Sequence, residues 1–115
     1  MIDVAVSGMG ILCAQGMNYE ECKKNIYGNP ILPSKPKRFE TPNLDYLVFD
    51  IPREIESIFS KKAKEFDVFF STLMSLKAFE EALESAKLSL QDLKGKNVLI
   101  SLGTTIGITL NNFEY

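Results

Sequence analysis

Cys13 and Cys22 are the chain's two thiols, and none of its 115 residues is a histidine. A reactive thiol needs a base or a positive field to become thiolate. Without imidazole, this chain holds no Ser–His–Asp or Cys–His arrangement, no His-containing zinc site and no usual near-neutral general base. Nine residues apart, the two cysteines match no metal-ligand spacing. Lys23 and Lys24 follow Cys22, but sequence neighbours on a helix face different directions. Both thiols read as small buried apolar residues. Catalysis within this chain would need carboxylates, Lys, Tyr or backbone donors. Neither a metal nor a cofactor is expected.

Three further patterns could carry chemistry. Glu80, Glu81 and Glu84 form a carboxylate cluster, which on an amphipathic helix is normally a solvated face. Gly8-Met9-Gly10 after a strand invites a dinucleotide-binding reading. The third glycine of that fingerprint falls at Cys13, and the next helix starts too late to meet a pyrophosphate. Gly8, Gly10 and Gly16 are better explained as turn glycines. Gly103-Thr104-Thr105-Ile106-Gly107 is the third pattern. It closes an apolar run, where α/β proteins place their sites, and Thr104 and Thr105 would offer hydroxyls there. A plain strand-to-helix turn uses the same residues, Gly103 included.

The elements that must position these residues can be read in order. Residues 2–7 predict a strand, with Val4 and Val6 alternating with smaller or polar neighbours. A loop follows over 11–16. Asn18 is a good N-cap, Glu20 and Glu21 suit a first turn, and Gly28 is a stop, so 19–27 predicts a helix. Cys22 and Ile26 should share its inner face. All five prolines fall between Pro30 and Pro52, within an irregular excursion over 29–60. Residues 46–51 suggest a short edge strand there. Ile55, Ile58 and Phe59 suggest a brief helical turn.

From 67 to 87 there is neither Gly nor Pro. Phe69, Leu73, Leu76, Phe79, Leu83 and Ala86 recur at helical period, with Asp67 as the cap. Ala78 and Ala82 widen the apolar face. The first half is apolar on nearly every side, which predicts deep burial. A polar turn ends at Gly95, and 97–102 then reads as a strand covered on both faces. A helix could open over 108–115. Strand, helix, excursion, long helix, strand predicts an α/β layer with a parallel pair.

The charge balance, 13 basic against 15 acidic side chains, gives no footprint for nucleic acid. The densest basic group, Lys35, Lys37 and Arg38, lies among prolines beside Glu40 and reads as a solvated loop. An apolar content of 45% describes one globular domain rather than a disordered chain. The apolar stretch 98–110 is too short and too polar to span a bilayer. Asp3, with no basic lead segment, argues against a secretory signal, so no membrane association and a cytoplasmic location are expected.

In combination these segments resemble the N-terminal part of a β-ketoacyl-acyl-carrier-protein synthase. Val4 through Asn18 is similar to that family's opening strand, glycine turn and later Gly-Asn. Glu20 through Gly28 resembles its first helix and closing glycine. Asp67 through Leu88, with Ala78, Glu81, Ala82, Leu83 and Ala86, resembles its long buried helix. Val98 through Gly107 resembles the following strand and turn. Residues 30–60 match poorly.

The resemblance implies a partial thiolase-like layered α/β fold over 1–115, with a parallel strand pair and a long buried helix. It implies an acyltransferase of fatty-acid or polyketide synthesis, acting by decarboxylative Claisen condensation. It also implies that the chain is truncated before the family's catalytic Cys, His and Lys, and so is inactive alone. Ile106, with Gly107, falls where related synthases face an acyl pocket, although Ile106 could equally pack beneath the turn. Implied partners are an acyl carrier protein and either a second copy or a complementing synthase chain. The alternatives are a noncatalytic assembly partner and a small nucleotide-binding α/β module.

Overall fold

The computed structural model describes residues 3–37, 40–43, 45–51 and 53–103. Three helices occur among them: α1, Tyr19–Tyr27; α2, Arg53–Phe66; and α3, Phe70–Ser85.

The sequence signals for α1 operate as expected. The Asn18 side chain accepts from the Glu21 backbone N–H at 2.9 Å, and Glu20 and Glu21 occupy the first turn. The Glu21 carboxylate returns a bond to the Met17 N–H at 2.9 Å. This is a capping box displaced by one residue. At the far end the Gly28 N–H closes onto the Lys24 carbonyl at 2.9 Å. Cys22 is buried, whereas Ile26, its expected companion, is half-exposed.

The helical turn expected near residue 55 is a helix of 14 residues. Ile55 and Phe59, four apart, are buried, and the Phe59 ring meets Phe70 of α3 edge-on with centroids 6.0 Å apart. Asp67 does not cap α3. It takes a left-handed φ of 52° and ends α2, where the Val68 N–H reaches back to the Ala63 carbonyl at 3.0 Å. α3 ends the same way. Lys87 has a φ of 57°, and the Leu88 N–H bonds the Leu83 carbonyl at 2.9 Å.

The expected α/β architecture is not found. Residues 3–7, 46–51 and 97–102 form no strand; the described part of 2–7 starts at Asp3. Among the described residues, backbone ladder pairing is limited to two isolated antiparallel bridges, Cys13 with Gly16 and Ser34 with Val48. A strand is defined by a partner that takes its N–H and C=O groups. Apolar alternation marks a segment as suited to a sheet without supplying that partner.

The long helix is not buried either, since no described side chain of α3 is more than partly covered. The buried apolar side chains among the described residues are Cys22, Ile55 and Phe59.

A thiolase-like layered fold requires sheets, and none exists among the described residues. The β-ketoacyl-synthase resemblance is therefore corrected. With it go the acyltransferase assignment, the fatty-acid or polyketide role, the inactive-fragment account and its synthase-like assembly alternative. The nucleotide-binding α/β module fails on the same finding. No described helix is long and apolar enough to cross a membrane.

Candidate functional site

The described residues bring their functional groups together where the loop 11–17 meets α1 and α3. Gly8 and Gly10 begin this junction. A Cβ on Gly8 would overlap the Ala82 carbonyl oxygen and lie 2.8 Å from the Ala86 Cβ. A Cβ on Gly10 would overlap the Ala78 carbonyl oxygen. Ala78, Ala82 and Ala86 form an i, i+4, i+8 stripe on α3. Glycine against alanine lets the two backbones meet at a distance that larger side chains forbid. These glycines face carbonyl oxygens, a surface that repels phosphate, and no helix N-terminus follows them directly.

Glu81 sits beside this stripe and holds the junction. Its Oε2 accepts from the Ile11 N–H at 2.8 Å, and its Oε1 accepts from the Tyr19 N–H at 2.6 Å. Tyr19 is the first residue of α1, so a carboxylate from a distant helix meets the positive end of the α1 dipole. Of the expected solvated carboxylates, Glu80 and Glu84 are exposed and Glu81 is partly covered.

Gln15 plays a parallel role. Its side-chain amide donates to the Ile31 carbonyl at 2.8 Å and accepts from the Ile31 N–H at 2.9 Å. These are the two bonds a strand neighbour would make. The Gln15 carbonyl in turn accepts from the Asn25 side chain. The start of the Pro-rich excursion is thereby tied to α1.

Between these anchors lie the two thiols. Cys13 and Gly16 exchange backbone bonds at 3.0 and 3.1 Å, turning the chain back toward α1. Gly16 is buried against the helix, where a Cβ would stand 2.6 Å from the Glu21 Cβ. The turn leaves the Cys13 and Cys22 sulfurs 3.5 Å apart. Cys22 is 2% exposed, and Cys13 is more open. Burial, the Cys13 side chain and the nearby Glu81 and Glu21 carboxylates push the Cys22 thiol up to about 11. Both cysteines are covered to some degree, as expected, but their adjacency was not.

Ile11, Tyr19, Cys22, Lys23, Ile26 and Tyr27 line a shallow hollow of about 190 Å³. That is smaller than the few hundred Å³ of an ordinary small-molecule site. Lys23 lies over the Tyr19 ring, 5.7 Å from its centroid. No group of three or more potential metal ligands exists among the described residues.

The remaining sites of interest lie apart from the junction. Gly103 is exposed and a Cβ there would meet open space. Thr104, Thr105, Ile106, Gly107 and the helix expected over 108–115 lie outside the described residues, as does Arg38 of the basic loop.

Glu81 and Gln15 are the residues that sequence reasoning missed. The Ala78-Ala82-Ala86 stripe, facing a Gly-x-Gly segment, was the available signal for the first. Gln15 carried none. The sequence matches no protein-family model, no curated protein and no solved structure.

Proposed function

We propose that this chain is an assembly module, in which residues 3–7 and 97–102 pair as strands with a second copy. One observation carries the reading: apolar side chains on both segments are almost bare. Val4 and Val6 are 92% and 85% exposed, and Leu99 and Leu102 are 90% and 82% exposed. The backbones of these segments make no hydrogen bond to another described residue. Burying one such side chain contributes about 1.5–3 kcal/mol. Leaving four in water favours any geometry that covers them.

The two segments differ in a way that suits a partner strand. Residues 3–7 alternate, with Val4 and Val6 on one face and Asp3, Ala5 and Ser7 on the other. Residues 98–102 are apolar on both faces except at Ser101, the composition of an interior strand. Both kinds of strand occur in the one chain, so a second copy can supply an edge for each. Helix α3 adds to this reading. It is apolar on several sides, and a helix of that type normally lies inside a larger assembly. The near-neutral charge balance leaves little repulsion between copies. The acyl carrier protein and the complementing synthase chain lose the resemblance that motivated them.

Sedimentation velocity over a range of chain concentrations tests the reading. The expected result is concentration-dependent association, weakened about a hundredfold by Val4→Lys with Val6→Lys, since two buried aliphatic side chains are lost. A monomer at every concentration, with no binding of an apolar dye, contradicts it.

A further inference from the structure

We propose that Cys13 and Cys22 form a thiol–disulfide exchange site that closes to an intramolecular disulfide on reaction with a low-molecular-weight disulfide. Four observations place the pair. The sulfurs lie 3.5 Å apart across nine residues of sequence. The backbone bonds between Cys13 and Gly16 hold the turn that brings Cys13 back. Cys22 is fixed in the first turns of α1, whose start is held by Asn18 and by Glu81. The Gln15 N–H donates to the Cys13 sulfur at 3.4 Å, orienting it within that turn.

Accessibility assigns the two roles. Cys13 is the more open thiol, so it meets the incoming disulfide. Its thiolate attacks one sulfur of the small disulfide, forming a Cys13 mixed disulfide and releasing one small thiolate. Cys22, covered and adjacent, then loses its proton to solvent and attacks the Cys13 sulfur. The Cys13–Cys22 bond forms and the second small thiolate leaves. Two protein thiols are oxidised, one small disulfide is reduced to two thiols, and the released protons are taken up by those thiolates. Burial makes the Cys22 thiol hold its proton more tightly, which disfavours it as the first nucleophile. Closure joins the loop 13–17 covalently to α1, within the region that Glu81 and Gln15 already hold together.

Oxidised glutathione tests the site. The chain is equilibrated with graded glutathione redox buffers, both folded and in urea, and its thiols are read by mass spectrometry after alkylation. The folded chain should lose both thiols within one molecule, without retaining glutathione. Its disulfide should persist at a reduced-to-oxidised ratio about tenfold more reducing than the urea-unfolded chain tolerates, because folding holds the sulfurs together. Cys22→Ser should trap one glutathione on Cys13, and Cys13→Ser should remain largely unmodified. Circular dichroism confirms that each variant retains its helices. Equal ratios for folded and unfolded chains overturn the proposal. So does accumulation of doubly glutathionylated wild type, or trapping on Cys22 rather than Cys13.

Discussion

The junction around α1 and the two extended segments reach opposite states. At the junction, specific hydrogen bonds hold the loop and both ends of α1. Glu81 takes two backbone N–H groups, Gln15 pairs with Ile31, and Asn18 caps the helix. Residues 3–7 and 97–102 have stronger apolar composition and no comparable partner among the described residues. Hydrophobic residues supply a driving force without direction, whereas hydrogen bonds fix which groups meet. The contrast separates a part of the molecule whose groups are satisfied within the chain from a part that, under the proposed assembly, a second copy would cover.

The largest expected effect comes from forcing the two parts of the molecule apart at Gly10. Gly10→Ala puts a methyl group onto the Ala78 carbonyl and should cost about 3 kcal/mol in urea unfolding. An unchanged midpoint would mean that α3 and the N-terminal segment are not in contact. Glu81→Ala comes next. It leaves the Ile11 and Tyr19 N–H groups without their carboxylate and should cost about 2 kcal/mol, with α1 amides losing exchange protection first. If α1 keeps its protection, Asn18 alone is enough to hold the helix.

Cys22 allows a finer test of the closed region. Its thiol is raised in the folded chain from about 9 when unfolded to about 11, so the folded state holds the proton more tightly. The stability this gives is fully present below pH 9 and is lost as pH rises toward 11. Relative to Cys22→Ala, the wild type should lose stability across that window, read as a falling urea midpoint. Parallel pH profiles would show that Cys22 is not desolvated. The smallest effect is expected at the helix ends. Asp67→Gly and Lys87→Gly relieve left-handed backbone and should each stabilise by about 0.5–1 kcal/mol, read as a raised Tm.

The same contrast explains what the sequence disclosed. Helix α1 was legible because its signals are local: Asn18, Glu21 and Gly28 act within one or two turns. Helix α3 was legible from its period, although its start was misplaced, because Asp67 tolerates the left-handed conformation that ends α2. Only one turn of α2 was visible. The step from Ile55 to Phe59 was read, but the mostly charged stretch after Phe59 hid the helix's continuation to Phe66. The sheet was inferred from apolar runs that are real, but a strand also needs a paired neighbour, which no local pattern supplies. Of the site, the glycines and cysteines were visible as residue types. The meeting of Gly8 and Gly10 with Ala78 and Ala82, and the Glu81 bonds to Ile11 and Tyr19, depend on contacts some 60 to 75 residues apart, which local pattern does not encode.

Amide hydrogen exchange over residues 4–7 and 97–102, followed from dilute to concentrated chain, tests the central claim most directly. Unpaired segments should exchange at the rate of an unstructured peptide when dilute and gain protection together as copies associate, while α1 stays protected throughout. Protection of both segments already present at the lowest concentration, and unchanged on concentrating, would contradict the account.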